Sequence, residues 1–239
     1  MTRGNQRTSG YPGLLNFRDV GGAPVSGGGR IRRGALYRSA CPAKFAPGAL
    51  AAQTQIGLRA VVDLRDEAES AAWPYQLDDP EIVRVNVAVL GDRPVPPDQA
   101  GLYAHMAERC GAGFTAAVRA IARALPQPVL VHCAVGKDRT GFAVALALAA
   151  AGVPDEAIVA DYVLSNDGLG LTPPAPGADP DRAADGTYLT SRYVNPALIS
   201  GALASIRARH GDAPGYLTAH GMTEDEIGRL RGDLVEPSV

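Results

Sequence analysis

Cysteine is scarce in this chain of 239 residues: there are three, Cys41, Cys110 and Cys133. An odd number without short repeat spacing excludes a secreted disulfide framework and matches no paired zinc spacing, so a reducing, cytoplasmic setting is expected. Aromatic residues make up only 5% against 46% hydrophobic overall, and the core must therefore be built from Val, Leu, Ile and Ala at short range. Charge of one sign is also missing. A net charge of −2 excludes a nucleic-acid binder that works by broad phosphate neutralisation, so any selectivity for anions has to be local. Lysine is nearly absent: of 23 basic residues only Lys44 and Lys137 are lysines. The longest apolar run, Phe142 to Val153, is about twelve residues, short of the roughly twenty that cross a bilayer, and no integral membrane segment is expected. Met1 to Gly10 is polar and has no apolar centre of a signal peptide.

What is present reads as an α/β chain. Residues 1–12 are expected to be disordered, and residues 13–239 to form one domain with a central, mostly parallel sheet flanked by helices and a helical C-terminal part. Strand character appears at Ala35–Arg38, Leu58–Leu64, Glu81–Val89 and Pro128–His132, each with an apolar or β-branched centre. Helical spacing appears near Pro47–Ile56, at Gln99–Cys110, Phe114–Leu125, Thr140–Ala151, Asp155–Leu164, Asn195–His210 and Ala213–Ala219. A final helix over Thr223–Leu234 opens on a capping box, Thr223 with Glu226. The stretch Asp167–Asp185 is loaded with Gly, Pro and Asp, and residues 167–191 are expected to be a flexible loop or lid.

The chemistry is concentrated in His132-Cys133-Ala134-Val135-Gly136-Lys137-Asp138-Arg139-Thr140-Gly141, at a strand-to-helix turn. Composition alone places His-Cys, an Arg six positions after the Cys and a Gly eight after it roughly 0.0005 times per chain. A phosphate ester is already anionic, so a nucleophile that attacks it needs its oxygens neutralised and positioned. Backbone amides of Ala134 to Arg139, curling into the start of a helix, would aim donors at such an anion, with Gly136 and Gly141 relaxing the curl. Arg139 adds a planar fork for two oxygens. The same positive surroundings favour thiolate at Cys133 and make it a nucleophile at neutral pH. Thr140 is placed to donate its hydroxyl to the sulfur when the thiolate leaves. His132 is read as orienting the loop, and Cys41 and Cys110 as packing. A nucleotide P-loop is excluded, because Val131 and Asp138 stand where that motif needs Gly and a hydroxyl residue.

With these residues in place the chain resembles the cysteine-dependent phosphatases, and most closely the PtpB-like bacterial protein tyrosine phosphatases that also act on phosphoinositides. The likeness is carried by Asn16-Phe17-Arg18-Asp19-Val20-Gly21-Gly22, Leu36-Tyr37-Arg38-Ser39, Val62-Asp63-Leu64-Arg65, the loop from His132 to Gly141, and Tyr216-Leu217, Gly221-Met222 and Leu230-Arg231. The resemblance implies Cys133 as nucleophile, Arg139 as phosphate binder, and a lysine and aspartate inside the loop, here Lys137 and Asp138. It also implies helices over the site, where the Gly and Pro content of 167–185 argues for a loop. Trp73-Pro74-Tyr75 is similar to the loop that carries the general acid in many tyrosine phosphatases, but its third residue is a phenol, and it is read as a turn.

The expectation is thus a cysteine-phosphatase-like hydrolase that forms a phosphocysteine intermediate, uses no cofactor or metal, and takes a phosphorylated protein or a phosphoinositide as substrate. Candidates for the general acid rank Asp138 first, Asp63 second, and Asp92 and Asp98 behind. Ala134, Val135, Gly136, Lys137, Asp138, Arg139 and Thr140 are the candidate phosphate-binding residues. Arg18, Asp19, Arg38 and Arg65 are read as a buried salt-bridge frame. Competing classes are a phosphate-binding pseudophosphatase and a sulfur transferase or arsenate reductase.

Overall fold

The computed structural model describes residues 14–42, 56–75, 77, 79–91, 94–182 and 192–238. The expected disordered segment 1–12, most of the helix near Pro47–Ile56, Asp92 and residues 183–191 lie outside the described residues. The strands, in chain order, are β1 (Arg18–Asp19), β2 (Arg30–Ile31), β3 (Leu36–Ser39), β4 (Ala60–Asp63), β5 (Val83–Asn86), β6 (Val129–His132) and β7 (Val235–Glu236). Five of them form a sheet in the order β1-β3-β6-β4-β5, while β2 and β7 pair separately and tie the beginning of the fold to its end.

The large sheet is mostly parallel, as expected: only β1 runs antiparallel to its neighbour. Every residue of β3, β4 and β6 is buried, which is what a continuous apolar run such as Val129-Leu130-Val131 requires of a strand covered on both faces. Strand β5 lies at the edge and is largely exposed. It is shorter than the expected Glu81–Val89, because its partner β4 offers only four residues before the chain turns away. The register sets Ser39, His132, Asp63 and Asn86 side by side at the carboxyl ends of the parallel strands. That is the edge where open α/β sheets bind ligands.

Eight helices surround this sheet among the described residues: α1 (Glu67–Ala72), α2 (Gln99–Arg109), α3 (Gly111–Ala124), α4 (Asp138–Ala150), α5 (Asp155–Leu169), α6 (Pro196–His210), α7 (Ala213–Ala219) and α8 (Glu224–Leu234). Helix α4 is the centre of the helical layer. Its residues Thr140 to Leu148 are all buried, as a helix that is apolar all round must be. It begins at Asp138 rather than Thr140, which brings Asp138 and Arg139 into its first turn. Helix α5 runs past Leu164 to Leu169 and closes on Gly170 at φ 62°. The extension hides from hydropathy because its inward positions, Ser165 and Asn166, are polar and serve as hydrogen-bond partners for Arg18 and for the backbone of Val194. Asp167 is therefore helical, and the irregular chain that was expected from there begins after Gly170 and continues to 182. The capping box at Thr223 and Glu226 is present at α8.

Candidate active site

Strand β6 ends at His132 and helix α4 begins at Asp138, so the five-residue loop from Cys133 to Lys137 has to turn sharply. Gly136 makes the turn at φ 70°, and a Cβ there would stand 2.1 Å from the Ser39 carbonyl oxygen, so no other residue fits. Gly141 has a different reason. A Cβ at that position would lie 2.9 Å from Cδ2 of Tyr162, so this glycine admits the tyrosine ring and does not relax the curl.

The loop carbonyls are gripped from behind. Asn16 Nδ2 donates to the Gly136 carbonyl at 2.8 Å, Arg38 Nη2 donates to the same oxygen at 2.9 Å, and the Cys41 amide donates to the Ala134 carbonyl at 3.1 Å. Arg38 and Arg18 in turn share the carboxylate of Asp161, on α5, at 2.7 and 2.9 Å. Burial opposes the charge of Asp161, but the two guanidinium groups outweigh it and hold the acid down to about 2. Burial, and then repulsion by Arg38, bring Arg18 down to about 10. Asp19 is not part of this frame: its carboxylate accepts from the amides of Gly21 and Gly34 and ties two turns together.

With its carbonyls held outward, the loop presents an amide to the sulfur: Gly136 N–H donates to Cys133 Sγ at 3.3 Å. Burial pushes the Cys133 thiol up, yet the Arg139 guanidinium and hydrogen bonds from Thr140 and from the Val135 amide outweigh it, and the thiol titrates below its ordinary 9.0. The Thr140 hydroxyl is buried and has no oxygen or nitrogen partner among the described residues, and it is one of the groups that lower the Cys133 thiol. Arg139 is held by Glu69 on α1, Nη1 to Oε2 at 2.5 Å and Nη2 to Oε1 at 2.7 Å. Glu69 is placed by the capping box it forms with Asp66.

Cys133 and Arg139 open into one cavity of about 260 Å³, lined by Asp66, Glu69, Leu90, Val95, Leu102, Val135 and Asp138 as well. Size does not mark the site: a hollow of about 890 Å³ between β5 and α3 has walls of Val83, Val85 and Ala120 and contains no nucleophile. Asp138 is one of the cavity residues, and its Oδ1 accepts from the Tyr103 hydroxyl at 3.1 Å. Lys137, expected beside the anion, is 3% exposed and does not line the cavity; its Nζ donates to the Arg192 carbonyl at 2.7 Å.

Asp63, the second candidate acid, is not brought to the cavity either. Its carboxylate is wholly buried, held by Arg65 at 2.9 and 2.8 Å and by Arg84 at 2.7 Å. Burial pushes it up, but Arg65 outweighs that and keeps it ionised. Asp98 caps α2 through the Gly101 amide, and this local hydrogen bond accounts for it.

His132 is fully buried, and burial lowers it to about 4, so the ring is neutral. Its Nδ1 faces the Cys133 carbonyl at 3.1 Å and must carry the hydrogen, which leaves Nε2 to accept from the Tyr75 hydroxyl at 2.6 Å. Tyr75 thus belongs to the support of the loop. Sequence reading missed it, as it missed Glu69 and Tyr103. For Glu69 a local signal existed, the Asp66-to-Glu69 capping spacing after the strand; for Tyr103 there was none.

The tyrosine phosphatase family model matches residues 10–236. A relative in Cupriavidus necator, named as a tyrosine-protein phosphatase, is 35% identical over 171 residues, which are 64% of this chain and 61% of that protein. The chain thus spans less than two thirds of that relative's length. The triple specificity protein phosphatase PtpB of Mycobacterium tuberculosis is 28% identical, covering 94% of this chain and 98% of its own. Among solved structures, TpbA of P. aeruginosa superposes with a TM-score of 0.45 at 18% identity, over 87% of this chain and 92% of TpbA.

Proposed function

Because the family match runs through nearly its whole length, the chain belongs to the tyrosine phosphatase family, and on that premise we propose that it hydrolyses phosphate monoesters through a phosphocysteine at Cys133. The observation that carries the reading is the buried Cys133 sulfur, with its thiol lowered, sharing one cavity with Arg139 and Asp138. The thiolate attacks phosphorus and forms the S–P bond while the P–O bond to the leaving alcohol breaks. Asp138 gives that oxygen its proton. Loop amides from Ala134 to Arg139 and the guanidinium hold the other oxygens. Glu69 uses two of the five guanidinium donors, and the Nε edge stays open for phosphate. Water then forms a new P–O bond, Asp138 takes its proton, and the S–P bond breaks with the Thr140 hydroxyl supporting the departing thiolate.

The cavity also favours one substrate class. Leu90, Val95 and Leu102 give it apolar walls, and its carboxylates Asp66, Glu69 and Asp138 leave Arg139 as the cation among its lining residues. A single phosphate on a flat apolar group, as in phosphotyrosine, suits this better than a headgroup with several phosphates. The buried thiols Cys41, Cys110 and Cys133 support a reducing compartment, the cytoplasm.

The test is a panel of phosphotyrosine and phosphoserine peptides, a phosphoinositide, thiosulfate and arsenate, run without added metal. Wild type is expected to release phosphate fastest from phosphotyrosine, and Cys133→Ser to lose at least about 10⁴-fold. Phosphate release that survives the substitution rejects the mechanism. Vanadate binding without turnover identifies a binding module, and turnover of thiosulfate or arsenate alone identifies the other cysteine chemistries.

A further inference from the structure

Two buried tyrosines stand behind the loop and take no part in the steps above. Tyr103 on α2 is 2% exposed and Tyr162 on α5 is 1% exposed. Their rings meet edge to face, 5.9 Å between centroids, and their hydroxyl oxygens are 2.5 Å apart. The Tyr103 hydroxyl donates to Asp138 Oδ1 at 3.1 Å.

A phenol has one proton to give. Tyr103 gives its proton to Asp138, so the contact between the two hydroxyls must use the proton of Tyr162. The chain of donors therefore runs one way, from Tyr162 to Tyr103 to Asp138. Burial, then the Asp138 charge, hold the Tyr103 phenol well above its ordinary 10, so its proton is in place throughout the working pH range. The fold makes room for this arrangement, since Gly141 on the first turn of α4 is the residue whose missing Cβ lets Tyr162 approach.

An oxygen that is already accepting from Tyr103 is the wrong one to hold the acid's own proton. We propose that Tyr103 is a positioning residue for proton transfer: by occupying Oδ1 of Asp138 it forces the transferable proton onto Oδ2, and Tyr162 locks it in that role. Oδ2 is the oxygen 3.7 Å from Lys137 Nζ. The inference rests on the reading of Asp138 as the general acid.

The experiment compares kcat/KM, which reports formation of the phosphocysteine, for phenyl phosphate and 4-nitrophenyl phosphate. Phenol needs a proton to leave and 4-nitrophenol hardly does, so lost proton transfer falls on the first substrate alone. Asp138→Asn is expected to lower kcat/KM for phenyl phosphate by about 100-fold and Tyr103→Phe by about tenfold, each with less than about a threefold loss on 4-nitrophenyl phosphate. In the double variant, Tyr103→Phe adds no further discrimination between the substrates. Equal losses on both substrates for Tyr103→Phe, while Asp138→Asn discriminates, overturn the inference and leave the acid in place. Absence of discrimination in Asp138→Asn overturns the acid assignment and the inference with it. If Tyr103→Phe does not fold, Tyr162→Phe takes its place: a selective loss of about threefold on phenyl phosphate upholds the proposal, and none overturns it.

Discussion

Glu69 holds Arg139 by both terminal nitrogens, at 2.5 and 2.7 Å, although the two residues are 70 positions apart. The pair is partly buried, Arg139 15% and Glu69 26% exposed at the side chains, and it orients the guanidinium within the same cavity as the sulfur. Glu69→Ala is expected to lower kcat/KM on an aryl phosphate by about ten- to a hundredfold, because a misplaced guanidinium no longer meets the phosphate oxygens. Faster turnover in this variant would mean that Glu69 competes with phosphate instead.

The thiol of Cys133 titrates below 9.0 because Arg139 and the hydrogen bonds of Thr140 and Val135 overcome its burial. Alkylation by iodoacetamide follows the thiolate, so its rate is expected to reach half its maximum below pH 9.0 in wild type. Arg139→Met removes the largest favourable cause, and the midpoint moves up. An unchanged midpoint would show that the arginine does not act on the sulfur.

His132 titrates at about 4 in the fold against an ordinary 6.5. Between those values the unfolded chain takes up a proton that the native state refuses, so stability is full above 6.5 and falls as pH drops toward 4. The slope is about 1.4 kcal/mol per pH unit for one such group, or about 2 kcal/mol from pH 6.5 to 5. His132→Gln is expected to flatten this decline in urea titrations at the two pH values. Parallel curves for variant and wild type would assign the loss to other groups.

Asp161 pairs with both Arg18 and Arg38 beneath the loop, and all three are buried. Asp161→Asn leaves two buried guanidinium groups facing a neutral amide, at an expected cost of about 3–5 kcal/mol in urea unfolding. Activity is expected to fall as well, since Arg38 holds the carbonyls of Gly136 and Lys137. A loss under about 1 kcal/mol would place the balancing charge elsewhere.

The legible part of this protein is the part whose cause is local. Strand β6, the turn at Gly136 and the start of α4 lie within a few consecutive residues, so the spacing of Cys133 and Arg139 already implied that they share one loop. The capping box at Thr223 and Glu226 and the apolar run of α4 were readable for the same reason: helix ends and buried helices are written in neighbouring residues. The direction in which a side chain points was not readable. Lys137 and Asp138 are adjacent, yet one bonds the Arg192 carbonyl and the other lines the cavity. Asp63 and Asp138 were both plausible acids as letters, and packing separated them by burying the first between Arg65 and Arg84. Glu69, Tyr103 and Asp161 reach the loop from α1, α2 and α5, across distances in the chain that no periodicity spans. Local backbone chemistry thus specified the loop and the place of its cysteine in the linear order of residues. Which charges surround it, and which carboxylate lines its cavity, depend on contacts that exist only once the helices have packed.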